Sequence, residues 1–152
     1  MTNMMTKTVG ASAIDQSRGE QCAALWKHLI TRHPAEGRYA RATKLPYRWR
    51  ELPALRLVVV QYVSFEADQV GVFMRGEKGI APKAVEDRLL PYANALGKLL
   101  GRKLFPGSKY FFQATRAFRT KDPAQWDKMA EWLHNQANKY EDALFRVMKG
   151  RA

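Results

Sequence analysis

The chain has 152 residues, 46% hydrophobic and 26% charged, which is the composition of one folded domain and not of a disordered segment. Lys and Arg total 26 against 14 Asp and Glu, a formal net charge of +12 that calls for an anionic partner. The single cysteine, Cys22, excludes an intrachain disulfide framework and a cysteine-based zinc site, and points to a reducing, cytoplasmic setting.

Residues 1–16 read as a flexible tail and residues 17–152 as a single domain. The tail lacks the unbroken apolar stretch of a secretory signal, and no apolar run anywhere approaches the ~20 residues of a membrane span. Over residues 17–32, Cys22, Leu25, Trp26, Leu29 and Ile30 recur at helical spacing and predict an amphipathic helix. The His33-Pro34 pair ends it, because a residue before proline is pushed out of the α region. His28 and His33 stand about 140° apart on such a helix and cannot share a ligand. The three histidines are therefore expected to be structural, with no metal and no cofactor.

Between residues 34 and 54, Tyr47-Arg48-Trp49-Arg50 alternates aromatic with charge, the period of an edge strand or an extended loop. Residues 56–65 predict a strand, rich in β-branched and aromatic side chains. Its uninterrupted Leu57-Val58-Val59-Val60 run places it at the sheet centre, covered on both faces. The short polar turn Glu66-Ala67-Asp68 leads to a second strand over residues 69–75, which makes an antiparallel hairpin. Residues 82–100 predict a helix broken or kinked at Pro91 and capped by Gly101. Residues 109–118 predict a third strand, with Tyr110, Phe112 and Ala114 facing away from Phe111, Gln113 and Thr115. In the last helix, Asp122 caps the start, Pro123 takes the first position and Gln125 the capping-box position. Trp126, Met129, Leu133, Ala137, Tyr140, Leu144 and Met148 form its stripe. The order α-β-β-α-β-α predicts an α+β fold: an antiparallel sheet of three to four strands with about three helices packed on it.

The charge is segregated. From Arg88 to Lys121 there are eight basic residues and no acid; from Arg38 to Arg56 there are six and one acid, Glu51. These windows carry +8 and +5 of the net +12, leaving −1 for the rest. Clustered cations suit phosphate, since each neutralised phosphate releases counterions and Arg grips the oxygens bidentately. Arg38, Arg41, Arg48, Arg50, Arg102, Lys103, Arg116 and Arg119 are the expected phosphate contacts. Tyr47 and Trp49 are the expected base-stacking residues. The reading requires the two segments to meet on one face.

Chemistry leaves no comparable trace. A nuclease of the restriction type needs an acid two residues before a lysine, and none of the 14 acids has one. Glu36-Gly37-Arg38 and Glu86-Asp87-Arg88 offer only arginine there, which cannot take a proton at neutral pH. The Met74 to Gly79 segment lacks the spacing of a phosphate loop. A non-enzymatic nucleic-acid-binding domain is the leading expectation. The alternatives are a protein–protein module, such as an inhibitor of a nuclease complex encoded by a mobile element, and a degenerate nuclease. Trp132 lies off the stripe of the last helix and is the expected anchor for a protein partner or a second copy.

Several of these patterns coincide. An amphipathic helix ends in Leu25-Trp26-Lys27, and the Tyr62 to Arg75 hairpin follows. Then come a helix carrying Leu89, Leu96 and Leu99, a strand, and a closing helix with Trp126 and Glu131-Trp132-Leu133. On these patterns residues 45–148 resemble a bacterial domain-of-unknown-function family found beside restriction-type nuclease domains or standing alone. The family's small glycine-rich stretch ahead of the hairpin is replaced here by Arg48 to Leu55. The resemblance implies a role in bacterial or phage DNA conflict and transfers no site residues.

Overall fold

The computed structural model describes residues 2–39 and 43–149. The fold is α+β: a four-stranded antiparallel sheet in the order β1-β2-β3-β4, with helices packed on one face. Helix α1 spans Thr2–Arg32, so helical backbone extends back over the segment that apolar periodicity left out. A short 3-10 turn, Pro34–Arg38, leads towards β1, Tyr47–Leu52. Strands β2, Leu57–Ser64, and β3, Gln69–Gly76, form the expected hairpin, with β2 at the interior of the sheet. Pro91 divides the next helical stretch into α2, Pro82–Leu89, and α3, Ala93–Leu100, joined by the 3-10 turn Leu90–Tyr92. Gly101 caps α3 at φ 66°, a left-handed conformation that glycine adopts without steric cost. Strand β4, Phe111–Ala117, is the second edge, and α4, Trp126–Met148, closes the fold.

Asp122 caps the turn ahead of α4, accepting from the Ala124 N–H. Gln125 does not complete a capping box. Its side-chain oxygen accepts instead from the Arg119 N–H at 2.9 Å, tying the loop before the helix.

The main core lies between the sheet and the helices. Leu25, Trp26 and Leu29 of α1 meet Met129, Leu133, Ala137 and Leu144 of α4 over Leu57, Val59, Val70, Val72 and Met74. Cys22 is buried there, and burial pushes its thiol pKa up. Polar contacts at the rim fasten α1 to α4: His28 to Asp127 and His33 to Glu131, both at 2.7 Å, with His33 stacked on His134 at 4.0 Å.

Strand β4 corrects the expected alternation. Met74 pairs with Phe111 and Val72 with Ala114, so β4 carries one residue more than β3 between these pairs, a β-bulge. Phe112 takes φ 54° at the bulge, and the extra residue turns both Phe111 and Phe112 into the core. The Tyr140 hydroxyl donates to the Phe112 carbonyl. Tyr110 and Gln113 are thereby presented on the opposite face.

Candidate nucleic-acid interface

The alternation in β1 is present, but its faces are the reverse of those required for phosphate binding. Arg48 and Arg50 are 0% and 1% exposed and point under the helices, while Tyr47 and Trp49 point out. Both arginines end on Glu36, itself fully buried: Arg48 Nη1 donates to Oε1 at 2.8 Å and Arg50 Nη2 to Oε2 at 2.7 Å. His134 Nδ1 donates to Glu36 at 2.8 Å, and Gln61 of β2 bridges Arg48, Glu36 and the Leu133 carbonyl. Asn138 accepts from Arg50 at 2.7 Å, Glu141 lies 3.5 Å from the same guanidinium, and the Tyr39 ring covers it at 4.4 Å. Burial pushes the Glu36 carboxyl up, but Arg50, His134 and Arg48 together pull it below the ordinary glutamate value. Arg48 and Arg50 are therefore turned away from any phosphate, because desolvated guanidinium groups need buried acceptors and their terminal nitrogens have them here. The readable trace of this network was the polar stripe His134, Asn138, Glu141, four and three residues apart beside the apolar stripe of α4.

The remaining sequence-derived cations are spread out. Arg38 is exposed by Tyr39 at the β1 side, whereas Arg116 and Arg119 lie at the end of β4, the opposite edge of the sheet. Arg102 and Lys103 are exposed beyond α3. Arg41 lies outside the described residues. The two basic segments thus do not form one groove among the described residues. Trp132 is half-buried and packs against the main core.

The second face of the sheet is built differently from the first. Its hydrophobic cluster, Val58, Val60 and Phe73 with Trp49 and Tyr62, comes from strand residues alone. Tyr47 is 43% exposed and Tyr110 52%. The aromatic rings cross the sheet in close sequence: Tyr47 to Trp49 at 6.2 Å, Tyr62 to Phe73 at 5.7 Å, and Phe73 to Tyr110 at 4.5 Å between centroids. They are tilted with respect to one another, as ring quadrupoles favour.

A depression of about 510 Å³ opens on this face, lined by Tyr47, Tyr62, Phe73, Arg75, Tyr110 and Gln113 among others. That volume lies in the range of small-molecule sites. Polar groups sit among the rings. Gln113 Nε2 donates to the Tyr62 hydroxyl at 2.6 Å. Burial raises the Tyr62 pKa, an effect that Gln113 opposes. The half-buried Arg75 brings a guanidinium to the wall, and the exposed Lys109 stands next in sequence to Tyr110 at one end. Sequence reasoning singled out Tyr47 and Trp49 for this role and missed Tyr62, Phe73, Tyr110 and Gln113. The last two share this face only because of the bulge.

Among the described residues no group of His, Cys, Asp and Glu is arranged to hold a metal ion, and no helix is long and apolar enough to cross a membrane. Comparison with protein-family models, with curated proteins and with solved structures finds no match to this chain.

Proposed function

We propose that the chain is a non-enzymatic nucleic-acid-binding domain that takes unpaired bases on the open face of its sheet. The observation that carries this reading is the row of aromatic rings running from β1 to the start of β4, with Tyr47 and Tyr110 exposed at its ends and amide, hydroxyl and guanidinium groups set among them. Aromatic side chains on an exposed four-stranded sheet are a known physical solution for holding single strands, because every base has a face to stack. The net charge of +12 supplies the attraction for phosphate. In this reading Arg75 and Lys109 take the phosphates next to the stacked bases. The exposed Arg38, Arg102, Lys103, Arg116 and Arg119 act at longer range. Duplex is the poorer ligand, because its bases are stacked on each other and offer the sheet no free face. The setting we propose, bacterial or phage DNA conflict, comes from the resemblance of residues 45–148 alone.

Anisotropy titrations with a labelled single strand and the matching duplex test this. Expected are a single-strand affinity tighter than micromolar at about 50 mM salt, steep weakening as salt rises, and weaker duplex binding. Absence of single-strand binding by folded protein defeats the reading. Concentration-dependent self-association that buries Tyr110 would assign the face to a second copy instead.

A further inference from the structure

We infer that the Tyr62–Gln113 corner of this face selects a cytosine edge; the inference rests on the single-strand reading above. Gln113 spends one amide N–H on the Tyr62 hydroxyl oxygen, at 2.6 Å. Three groups are then left without a partner among the described residues: Gln113 Oε1, the second Gln113 N–H, and the Tyr62 O–H. Because the Tyr62 oxygen already accepts, its own proton is the natural donor outward. In sequence along the corner these groups read acceptor, donor, donor.

The corner is held in place. The Tyr62 ring lies against Gly71, where a β-carbon would stand 2.2 Å from it, and packs at 5.7 Å from Phe73. Gln113 is exposed, its backbone follows the bulge, and its amide is held by the bond to Tyr62. A base stacked beside the exposed Tyr110 ring meets these groups with its edge.

The pairing face of cytosine presents an amine donor, a ring-nitrogen acceptor and a carbonyl acceptor, the complement of all three groups. Adenine matches the first two and sets a C–H against the Tyr62 hydroxyl. Thymine and uracil present acceptor, donor, acceptor, so two of the three contacts oppose like with like. Guanine presents acceptor, donor, donor and opposes all three. Each mismatch leaves a desolvated polar group unpaired, and unpaired groups are what make a site selective.

The test is a set of anisotropy titrations at neutral pH and low salt with short labelled oligomers of deoxycytidine, deoxyadenosine and thymidine. Wild-type protein is expected to bind the cytidine oligomer about tenfold more tightly than the thymidine one, with adenosine between. Tyr62→Phe keeps the ring and removes the third donor; it is expected to weaken the cytidine oligomer most, and so narrow the preference, at an unchanged melting temperature. Gln113→Glu replaces the amide donor with an acceptor and is expected to abolish the preference. Equal binding of all three oligomers by wild-type protein, or a preference that both variants leave unchanged, overturns the cytosine inference and leaves the single-strand reading standing. Failure to bind any of the three overturns both.

Discussion

The phenol of Tyr62 occupies the space that a side chain on Gly71 would fill: a β-carbon there would stand 2.2 Å from the ring. The two residues are direct partners in the β2–β3 register, so the glycine makes the slot in which the ring lies. Glycine is ordinarily unfavourable inside a strand, and here the cross-strand ring supplies the missing packing. Gly71→Ala is expected to cost about 1–3 kcal/mol in urea denaturation, because the ring has to move off its packed position. A double-mutant cycle with Tyr62→Ala checks the cause: once the ring is gone, the added methyl is expected to cost much less.

Glu36 receives both arginines of β1. Glu36→Gln leaves two buried guanidinium groups short of a charge, and breaking a buried pair from one side typically costs about 3–5 kcal/mol. The expected result is a large fall in the urea midpoint, or failure to fold at the upper end of that range. A fall of less than about 1 kcal/mol would mean that water or rearranged carboxylates reach the arginines.

The same carboxylate gives stability an acid limb. Its folded pKa lies below its unfolded value, since Arg50, His134 and Arg48 outweigh the opposing effect of burial. Its contribution is therefore complete above the unfolded value, about pH 4.3, and is lost as pH falls through the folded one. Asp68, held low chiefly by hydrogen bonds from Thr120, and Glu86, held low chiefly by the Gly107 N–H, act in the same direction. Melting temperatures measured from pH 7 downward are expected to hold steady and then drop. In any Glu36→Gln protein that folds, the drop is expected to be shallower.

Tyr140 fastens α4 to the bulge in β4 through its bond to the Phe112 carbonyl. Tyr140→Phe leaves that carbonyl buried without this donor and is expected to cost about 1–3 kcal/mol. Burial raises the Tyr140 pKa to about 12. The sign follows: its contribution is full below the unfolded value of about 10 and is lost as pH rises through the folded one. Ultraviolet titration of the six tyrosines is expected to lose its latest phenol in the variant, the raised Tyr62 remaining.

Tyr110 separates binding from folding. It is 52% exposed and packs tilted against Phe73, so Tyr110→Ala is expected to change the melting temperature little. Single-strand affinity is expected to fall by about 1–3 kcal/mol, the worth of one stacked base. A variant with normal affinity would remove Tyr110 from the interface.

Much of the architecture was legible in the sequence because local pattern decides it. An unbroken β-branched run produced β2 and a period-two run β3, a short polar turn joined them, Pro91 cut one helix into two, and Gly101 ended α3. The spacing of Leu133, Ala137, Tyr140 and Leu144 marked the inward side of α4. These features depend on neighbours a few residues away, where backbone sterics and side-chain periodicity act.

Tertiary structure decided the two features on which the proposed function turns. Alternation in β1 shows that two sides exist, but not which is inward. Arg48 and Arg50 went inside because Glu36, Gln61, His134 and Asn138 converge there from three other elements, at separations of 11 to 90 residues that no local pattern records. One extra residue in β4 changed the phase of the alternation, so that Tyr110 and Gln113, three residues apart, share the open face. A cation's role is set by whether an acceptor or solvent meets it, and an aromatic's by whether a helix lies over it; both are properties of packing.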